Sequence, residues 1–157
     1  MKLLTKLGLL AGLALSFAGC DAEEALANTV ILDISDREVR VVTDDGEFEL
    51  ARFTVGVAKP GHETPIGSYK LYNKVYKPRW ENPWTGEVRA FPRSPLGSVW
   101  LGFLCQSHGC YGLHGSLPSM ANSIGQAESH GCVRLRDSEA LELAELLTIG
   151  DLIIVQQ

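Results

Sequence analysis

The sequence has 157 residues, which suits one domain with a sizeable core and is short for two. Nineteen acidic residues against fourteen basic ones give a net charge of −5. A chain this acidic is a poor candidate for binding nucleic acid or an anionic membrane surface.

The first nineteen residues have the layout of an export signal. Lys2 and Lys6 precede an apolar run over residues 7–18, which is too short to span a bilayer comfortably. Small residues then precede Cys20, as in the bacterial lipoprotein cleavage box, where the cysteine becomes the lipidated first residue. We therefore predict a lipoprotein-type signal over residues 1–19, with Cys20 as the lipidation site.

An ordinary signal peptide cleaved after Ala18 or Ala27 is the alternative. In either case we expect residues 20–28 to be an acidic, alanine-rich tether. The folded domain is predicted to occupy residues 29–157.

The opening third of this domain has the pattern of successive β-strands. Residues 29–33 and 38–43 are rich in β-branched side chains and flank a polar turn, which predicts a hairpin. A third strand is predicted before the Lys59-Pro60-Gly61 turn, with the apolar positions Phe48, Leu50, Phe53, Val55 and Val57. Alternation then predicts a fourth strand over residues 68–76.

Regular patterning is absent between Pro78 and Pro95. This stretch contains four prolines together with Trp80, Trp84 and Phe91, so it is predicted to be neither helix nor regular strand. It could form a lid or one wall of a substrate cleft. Alternatively, its tryptophans could only close one end of the core.

The last part of the chain contains further strands and the only good helical pattern. Strands are predicted over residues 99–104 and 111–114, and a closing strand, buried on both faces, over 152–155. Asp137 or Ser138 is predicted to cap a helix whose apolar face is Ala140, Leu143, Ala144 and Leu147. The sequence therefore predicts a mainly β domain with one α-helix after Cys132.

The residues that indicate chemistry are Cys132 and His114. A thiol is a strong nucleophile as thiolate, so a catalytic cysteine needs a nearby base and donors for the oxyanion that it creates. The loop-rich segment between the two residues could fold back and bring them together. Gly131 lets the backbone turn sharply and present amide hydrogens beside the sulfur.

The pattern His114-Gly115, followed by Ser129-His130-Gly131-Cys132-Val133-Arg134-Leu135, resembles the L,D-transpeptidase (YkuD-type) family of peptidoglycan enzymes. An upstream run, Thr64-Pro65-Ile66-Gly67-Ser68-Tyr69, matches the family's Thr-Pro-x-Gly-x-Phe/Tyr. The resemblance extends from Thr29 to the C-terminus. It implies a barrel-like β-sandwich.

The resemblance also implies roles for the motif residues. Cys132 would be the nucleophile, His114 its base, and the carbonyl of Gly115 the acceptor that orients His114. The amides of Gly131 and Cys132, with His130 alongside, would form the oxyanion site. His114 is expected to make this thiol more thiolate-like than the others.

Substrate contacts are predicted at Arg134, Ser129, Trp84 and Trp80. Arg134 could pair with a substrate carboxylate or with a structural one. Trp80 and Trp84 could cover apolar parts of a sugar or peptide, and Glu81 or Glu87 could attract the amine of an acceptor.

The implied reaction is acyl transfer on peptidoglycan stem peptides. Cys132 would attack the carbonyl of the third stem residue, release D-alanine and form a thioester. An amine from a neighbouring stem would then give a cross-link, whereas water would give a tripeptide. No metal or organic cofactor is required.

Other functions remain open at this point. The same residues would serve an L,D-carboxypeptidase or another cysteine amidase of the cell wall. A non-catalytic wall-binding domain would be expected to lose Cys132 or His114, and both are present. In each case we expect a monomer in the cell envelope, held by its lipid on the periplasmic face of a membrane.

The motif Ser-His-Gly-Cys occurs twice, ending at Cys110 and at Cys132. Only Cys132 is followed by Val-Arg-Leu and a predicted helix, which favours it as the nucleophile. Cys105 and Cys110 could then form a small disulfide in an oxidising compartment. A zinc site that uses these two cysteines with His108 and His114 is the alternative. His62 is interpreted as an exposed loop residue.

Overall fold

The computed structural model describes residues 27–107 and 109–157. The predicted export signal, the lipidation site Cys20 and most of the tether lie outside the described residues, as does His108. No helix in the described part is long and apolar enough to cross a bilayer.

The described part consists of thirteen strands, one α-helix and a short 3-10 helix over Pro118–Ser123. The strands are β1 (Asn28–Asp33), β2 (Glu38–Thr43), β3 (Glu49–Thr54), β4 (Val57–Ala58), β5 (Gly67–Lys70), β6 (Asn73–Tyr76), β7 (Trp80–Glu81), β8 (Val88–Arg89), β9 (Val99–Gln106), β10 (Gly109–His114), β11 (Ala127–Ser129), β12 (Val133–Arg134) and β13 (Leu152–Gln156). The helix α1 is Asp137–Leu146. The predicted mainly β class, with one helix after Cys132, is confirmed for these residues.

Two sheets enclose the core. One has the order β3-β2-β1-β13-β5, and the other β12-β10-β9-β6. The predicted hairpin is present as β1 and β2, which pair antiparallel. Both sheets and α1 contribute to one cluster of fully buried side chains, including Leu32, Val39, Leu101, Leu113, Leu143 and Ile153. The second sheet carries the residues of the candidate site.

The predicted fourth strand over residues 68–76 is two strands in different sheets. The Leu71 N–H donates to the carbonyl of Asp151 beside the first sheet, at 2.9 Å, while the Tyr72 N–H donates to Gly102 of the second sheet, at 3.0 Å. The chain therefore changes sheets within one residue step. Alternation continues through this step, so the prediction of one strand was wrong.

The predicted third strand is also shorter than expected. Phe53, Val55 and Val57 are buried, but Phe48 is 64% and Leu50 44% exposed. Strand β3 is the edge of its sheet. The core therefore covers the end of this segment, whereas Phe48 and Leu50 at its start extend past the core.

The helix begins without the predicted cap. Its N-cap residue is Arg136, whose N–H donates to the Glu139 carboxylate at 3.3 Å. The Asp137 carboxylate instead accepts both the N–H and the hydroxyl of Ser98, at 2.7 and 2.5 Å. The predicted apolar face is buried as expected.

Two further expectations need correction. The closing strand β13 buries Ile153 and Val155, but its alternate residues are only half-buried, so it is not buried equally on both faces. The irregular stretch after Pro78 contains the small hairpin β7–β8, in which Trp80 pairs with Arg89.

Candidate active site

Two neighbouring strands bring Cys132 and His114 together. Strands β10 and β12 are parallel and pair Leu113 with Val133 and His114 with Arg134. This register places Cys132 opposite Gly112, whose backbone N–H favours the thiolate. Because side chains alternate along a strand, Cys132 and His114 face the same side. Both line a cleft of about 1090 Å³.

His114 is oriented to act as a base. The residue is 4% exposed, and its Nδ1 lies 2.5 Å from the carbonyl oxygen of Gly115. With Nδ1–H donating to this carbonyl, Nε2 keeps its lone pair. Burial lowers the pKa of His114 to about 4, aided by the charge of Arg134 and opposed by the Gly115 hydrogen bond. The ring is therefore neutral at neutral pH.

A second set of contacts fixes the backbone that follows His114. The Asp137 carboxylate lies against Gly115, so closely that a Cβ at this position would overlap it. The Gly115 N–H donates to Val99, and the ring of Trp100 stacks on that of His114 with 6.1 Å between centroids. Glycine is therefore required after the histidine for close packing.

The thiol of Cys132 is neutral in the resting protein. Burial raises its pKa to about 11, although the Gly112 N–H and the charge of Arg134 both favour the thiolate. His114 is not among the causes of this shift, so its predicted effect on the thiol stays a prediction. Desolvation disfavours the thiolate and the imidazolium alike.

The turn before Cys132 explains the glycine at position 131. Gly131 has a φ of +118°, and a Cβ there would lie 2.7 Å from the ring of Tyr111. The buried hydroxyl of Thr64 donates to the carbonyl of Gly131 at 2.7 Å. The upstream Thr-Pro motif thus anchors this turn.

The predicted oxyanion donors are only partly available. The Gly131 N–H donates to the hydroxyl of Ser129 at 3.2 Å, and this hydroxyl donates to the carbonyl of Cys132 at 2.5 Å. Within residues 27–107 and 109–157, the N–H of Cys132 has no acceptor. Cys132 therefore offers the free donor. The hydroxyl of Ser129 holds the turn, and Ser129 also lines the cleft, so its predicted contact with substrate stays a prediction.

The ring of His130 has three neighbours in or beside the cleft. Its Nε2 lies 2.9 Å from the Lys59 ammonium, and its centroid is 4.7 Å from that of His62 and 5.1 Å from that of Trp84. Desolvation is the main cause that lowers the pKa of His130. The electrostatic effects of Lys59, His62 and Arg134 lower it further. His62, interpreted as a simple loop residue, lines the cleft. The sequence offered no signal that this loop reaches His130.

Arg134 places a positive charge in the cleft. Its backbone pairs with Gly56 in both directions, at 2.8 and 2.9 Å. The half-buried guanidinium forms no ion pair with any carboxylate of the described chain. Desolvation lowers its pKa, whereas Cys132 and Glu128 oppose that shift. This arginine can accept an anionic group from outside the protein.

The hairpin β7–β8 forms one wall of the cleft. Trp80, Glu81 and Trp84 line it, and Trp84 is 69% exposed. The carboxylate of Glu87 is instead paired with Arg89 at 2.9 Å and does not line the cleft. Of the two glutamates predicted to attract an amine, Glu81 is the one in position.

The Ser-His-Gly-Cys motif that ends at Cys110 contributes its cysteine to a disulfide. Cys105 and Cys110 face each other across β9 and β10 and are bonded. The thiol of Cys132 donates to the carbonyl of Cys110 at 3.6 Å. This disulfide uses two of the four residues that the alternative zinc site would need as ligands. The described residues contain no cluster suited to a metal ion.

A family model of the L,D-transpeptidase catalytic domain, YkuD, matches residues 27–155. The chain belongs to this family. It is 27% identical over 131 residues to the L,D-transpeptidase-type protein YqjB of Bacillus subtilis, covering 80% of this chain and 69% of that protein.

Solved structures share the fold. L,D-transpeptidase 3 from Mycobacterium tuberculosis, in complex with a faropenem-derived adduct, superposes with a TM-score of 0.66 at 21% identity and covers 84% of this chain. An L,D-transpeptidase from Stackebrandtia nassauensis gives 0.63 at 25% identity and covers 90%. The chain spans only 61% and 60% of these two longer chains. The predicted barrel-like sandwich of this family is thereby confirmed.

Proposed function

We propose that this L,D-transpeptidase-family domain transfers acyl groups of peptidoglycan stem peptides through a thioester on Cys132. The observation that carries the proposal is the shared cleft of Cys132 and His114. There a free thiol, an imidazole with an available lone pair and an unused backbone N–H occur together. These are the nucleophile, base and oxyanion donor that acyl transfer needs.

The first half of the reaction forms the thioester. The sulfur of Cys132 attacks the carbonyl of the third stem residue, while His114 Nε2 takes the thiol proton. The oxyanion accepts a hydrogen bond from the Cys132 N–H. When the intermediate collapses, the C–N bond breaks and D-alanine leaves with the proton from His114.

The second half returns the enzyme to its starting state. An amine of a second stem attacks the thioester and loses a proton to His114. The C–S bond then breaks, and the proton goes back to the sulfur of Cys132. No metal or organic cofactor takes part in these steps.

Arg134 and the hairpin wall supply substrate contacts in this proposal. The unpaired guanidinium of Arg134 binds a substrate carboxylate, since a half-buried cation gains most from a charged partner. Trp80 and Trp84 cover apolar parts of the substrate, and Glu81 attracts the acceptor amine.

A lipid on Cys20 would hold a monomeric enzyme at the periplasmic face of a membrane. Fatty-acid labelling that Cys20→Ser abolishes is the test of this anchor.

The experiment is incubation of the protein with a disaccharide-tetrapeptide, followed by product analysis. Cross-linked dimer and free D-alanine are expected, together with a single mass adduct on the Cys132 peptide after incubation with imipenem. Cys132→Ala should abolish both while its circular dichroism spectrum is unchanged. An adduct on Cys105 or Cys110, or full activity in Cys132→Ala, would contradict the proposal.

An L,D-carboxypeptidase is the second candidate function. The exposure of Trp84 favours it, because an open cleft wall admits water to the thioester. We expect dimer as the main product at high donor concentration. Trp84→Ala should shift products toward tripeptide without preventing acylation. Tripeptide alone from the unmutated protein, even with added D-amino acid acceptors, would assign it as a carboxypeptidase.

A further inference from the structure

The Lys59-Pro60-Gly61-His62 turn holds two basic residues against His130. The backbone N–H of Lys59 donates to the carbonyl of Ser129 at 3.0 Å, beside the pairing of β4 with β11. The His62 N–H donates back to the carbonyl of Lys59 at 3.1 Å. Gly61 has a φ of +84°, which suits the third position of a tight turn after proline.

This turn fixes the imidazole of His130 from two sides. Lys59 meets the ring at Nε2, with Nζ 2.9 Å away. His62 meets it edge-on at 73°, and Trp84 contacts it from the hairpin wall at 62°. A side chain on the surface is thus held in one orientation at the cleft.

The contact with Lys59 determines where the proton of His130 lies. A lysine ammonium has three donors and no acceptor, so Nε2 of His130 must accept. A neutral imidazole with an accepting Nε2 carries its proton on Nδ1. His130 has no other hydrogen-bond partner among the residues described, which leaves this Nδ1–H available.

We infer that Lys59 is a positioning residue that fixes the Nδ1–H tautomer of His130, so that this N–H donates to an oxygen of the bound substrate beside Cys132. The role in catalysis rests on the proposed acyl transfer, whereas the tautomer does not. A second donor beside Cys132 would be useful for the following reason. Of the two predicted oxyanion amides, that of Gly131 is occupied by Ser129, and only that of Cys132 is free. His130 lines the same cleft as Cys132.

The charge environment supports a neutral ring. Lys59, His62 and Arg134 face His130 as basic groups, and each of them disfavours an imidazolium there. The nearby carboxylate of Glu63 lines the cleft but is engaged by the Gly61 N–H at 2.7 Å. The ring therefore donates one proton and does not act as a cation.

The test combines nuclear magnetic resonance with acylation kinetics. The full chain has four histidines, so ¹⁵N-histidine labelling gives four imidazole patterns in long-range ¹H–¹⁵N spectra. His130→Gln identifies the pattern of interest. We expect His130 to show a protonated Nδ1 and an unprotonated Nε2. Lys59→Met should move it toward the Nε2–H form that free histidine prefers.

The kinetic arm measures the rate of imipenem acylation at Cys132. Lys59→Met should lower this rate by about tenfold, less than the loss of a complete oxyanion donor. Lys59→Arg keeps a donor and should restore most of the rate. Lys70→Met removes an exposed lysine of β5 and is the matched control, with unchanged tautomer and rate. The patterns of His62 and His114 report whether each variant is folded.

The outcomes separate this inference from the proposed function. A wild-type His130 protonated on Nε2 would overturn the inference without any variant. A slower Lys59→Met enzyme with an unchanged tautomer would also overturn it, as would a changed tautomer at an unchanged rate. Absence of any acylation in the wild type, with the expected tautomer present, would instead contradict the proposed acyl transfer.

Discussion

Burial leaves both Cys132 and His114 neutral, which has a measurable effect on the reactivity of the free enzyme. Without substrate, the thiolate of Cys132 forms only as the pH approaches its raised pKa of about 11. We expect its rate of alkylation by iodoacetamide to keep rising to about pH 11, whereas an unperturbed thiol levels off above about pH 8.5. Mass spectrometry of the Cys132 peptide gives the rate at each pH. A plateau already at neutral pH would show a thiolate–imidazolium pair and contradict the neutral resting state.

Gly131 is required by both its backbone and its neighbour. Gly131→Ala would place a side chain at a φ of +118° and bring its Cβ to 2.7 Å from the ring of Tyr111. We expect a loss of at least about 2 kcal/mol in the free energy of unfolding, together with loss of acylation. Urea unfolding monitored by tryptophan fluorescence measures the first.

The matched control for this variant is Gly150→Ala. Gly150 has a similar φ of +105°, but a Cβ there would meet nothing within 4 Å. Gly150→Ala should lower the free energy of unfolding by only about 1 kcal/mol and leave acylation unchanged. Equal losses in the two variants would assign the whole effect to the backbone and none to Tyr111.

At the scale of an element, helix α1 depends on a residue far away in sequence. The half-buried ammonium of Lys74, on β6, donates to the carbonyls of Ala144 and Leu147 at 2.9 and 2.8 Å. These carbonyls lie at the C-terminal end of the helix, where a positive charge is favourable. The last turn of α1 contains no basic residue of its own.

We therefore expect Lys74→Met to lower the free energy of unfolding by about 1 to 2 kcal/mol. Chemical denaturation of the variant beside Lys70→Met, which removes an exposed lysine, measures the difference. Equal stability of the two variants would show that the contact with α1 contributes nothing.

For the whole molecule, the state of the cysteines is the simplest property to measure. In a Cys20→Ala background, the denatured chain should react with thiol reagent once before reduction and three times after it. The single thiol is Cys132, because Cys105 and Cys110 are bonded. Three thiols before reduction would contradict the disulfide and restore the zinc alternative.

The sequence predicted those parts of the fold that rest on local pattern. The β1–β2 hairpin and the buried face of α1 follow from periodicities of two and about four residues. The errors concern position in space. Alternation continued through the change of sheet at Leu71, and the apolar Phe48 and Leu50 gave no sign that β3 is an edge strand.

The candidate site was predictable in its residues but less so in its electrostatics and hydrogen bonds. Cys132 and His114 were found from a motif, yet the pKa of each depends on burial, which spacing alone does not report. The hydroxyl of Ser129 takes up the Gly131 amide, and Lys59 reaches His130 through a separate turn. Both are contacts between segments, and a single sequence contains no record of them.

The position of β13 also determines when this domain can form. The strand lies between β1 and β5, and it pairs Asp33 with Gln156, which are 123 residues apart. Until Leu152–Gln156 has been synthesised, the first sheet is split into two pieces whose facing edges have no partner. The facing edges of β1 and β5 would thus remain unpaired until β13 emerges, so the complete five-stranded sheet forms only after that strand has been synthesised.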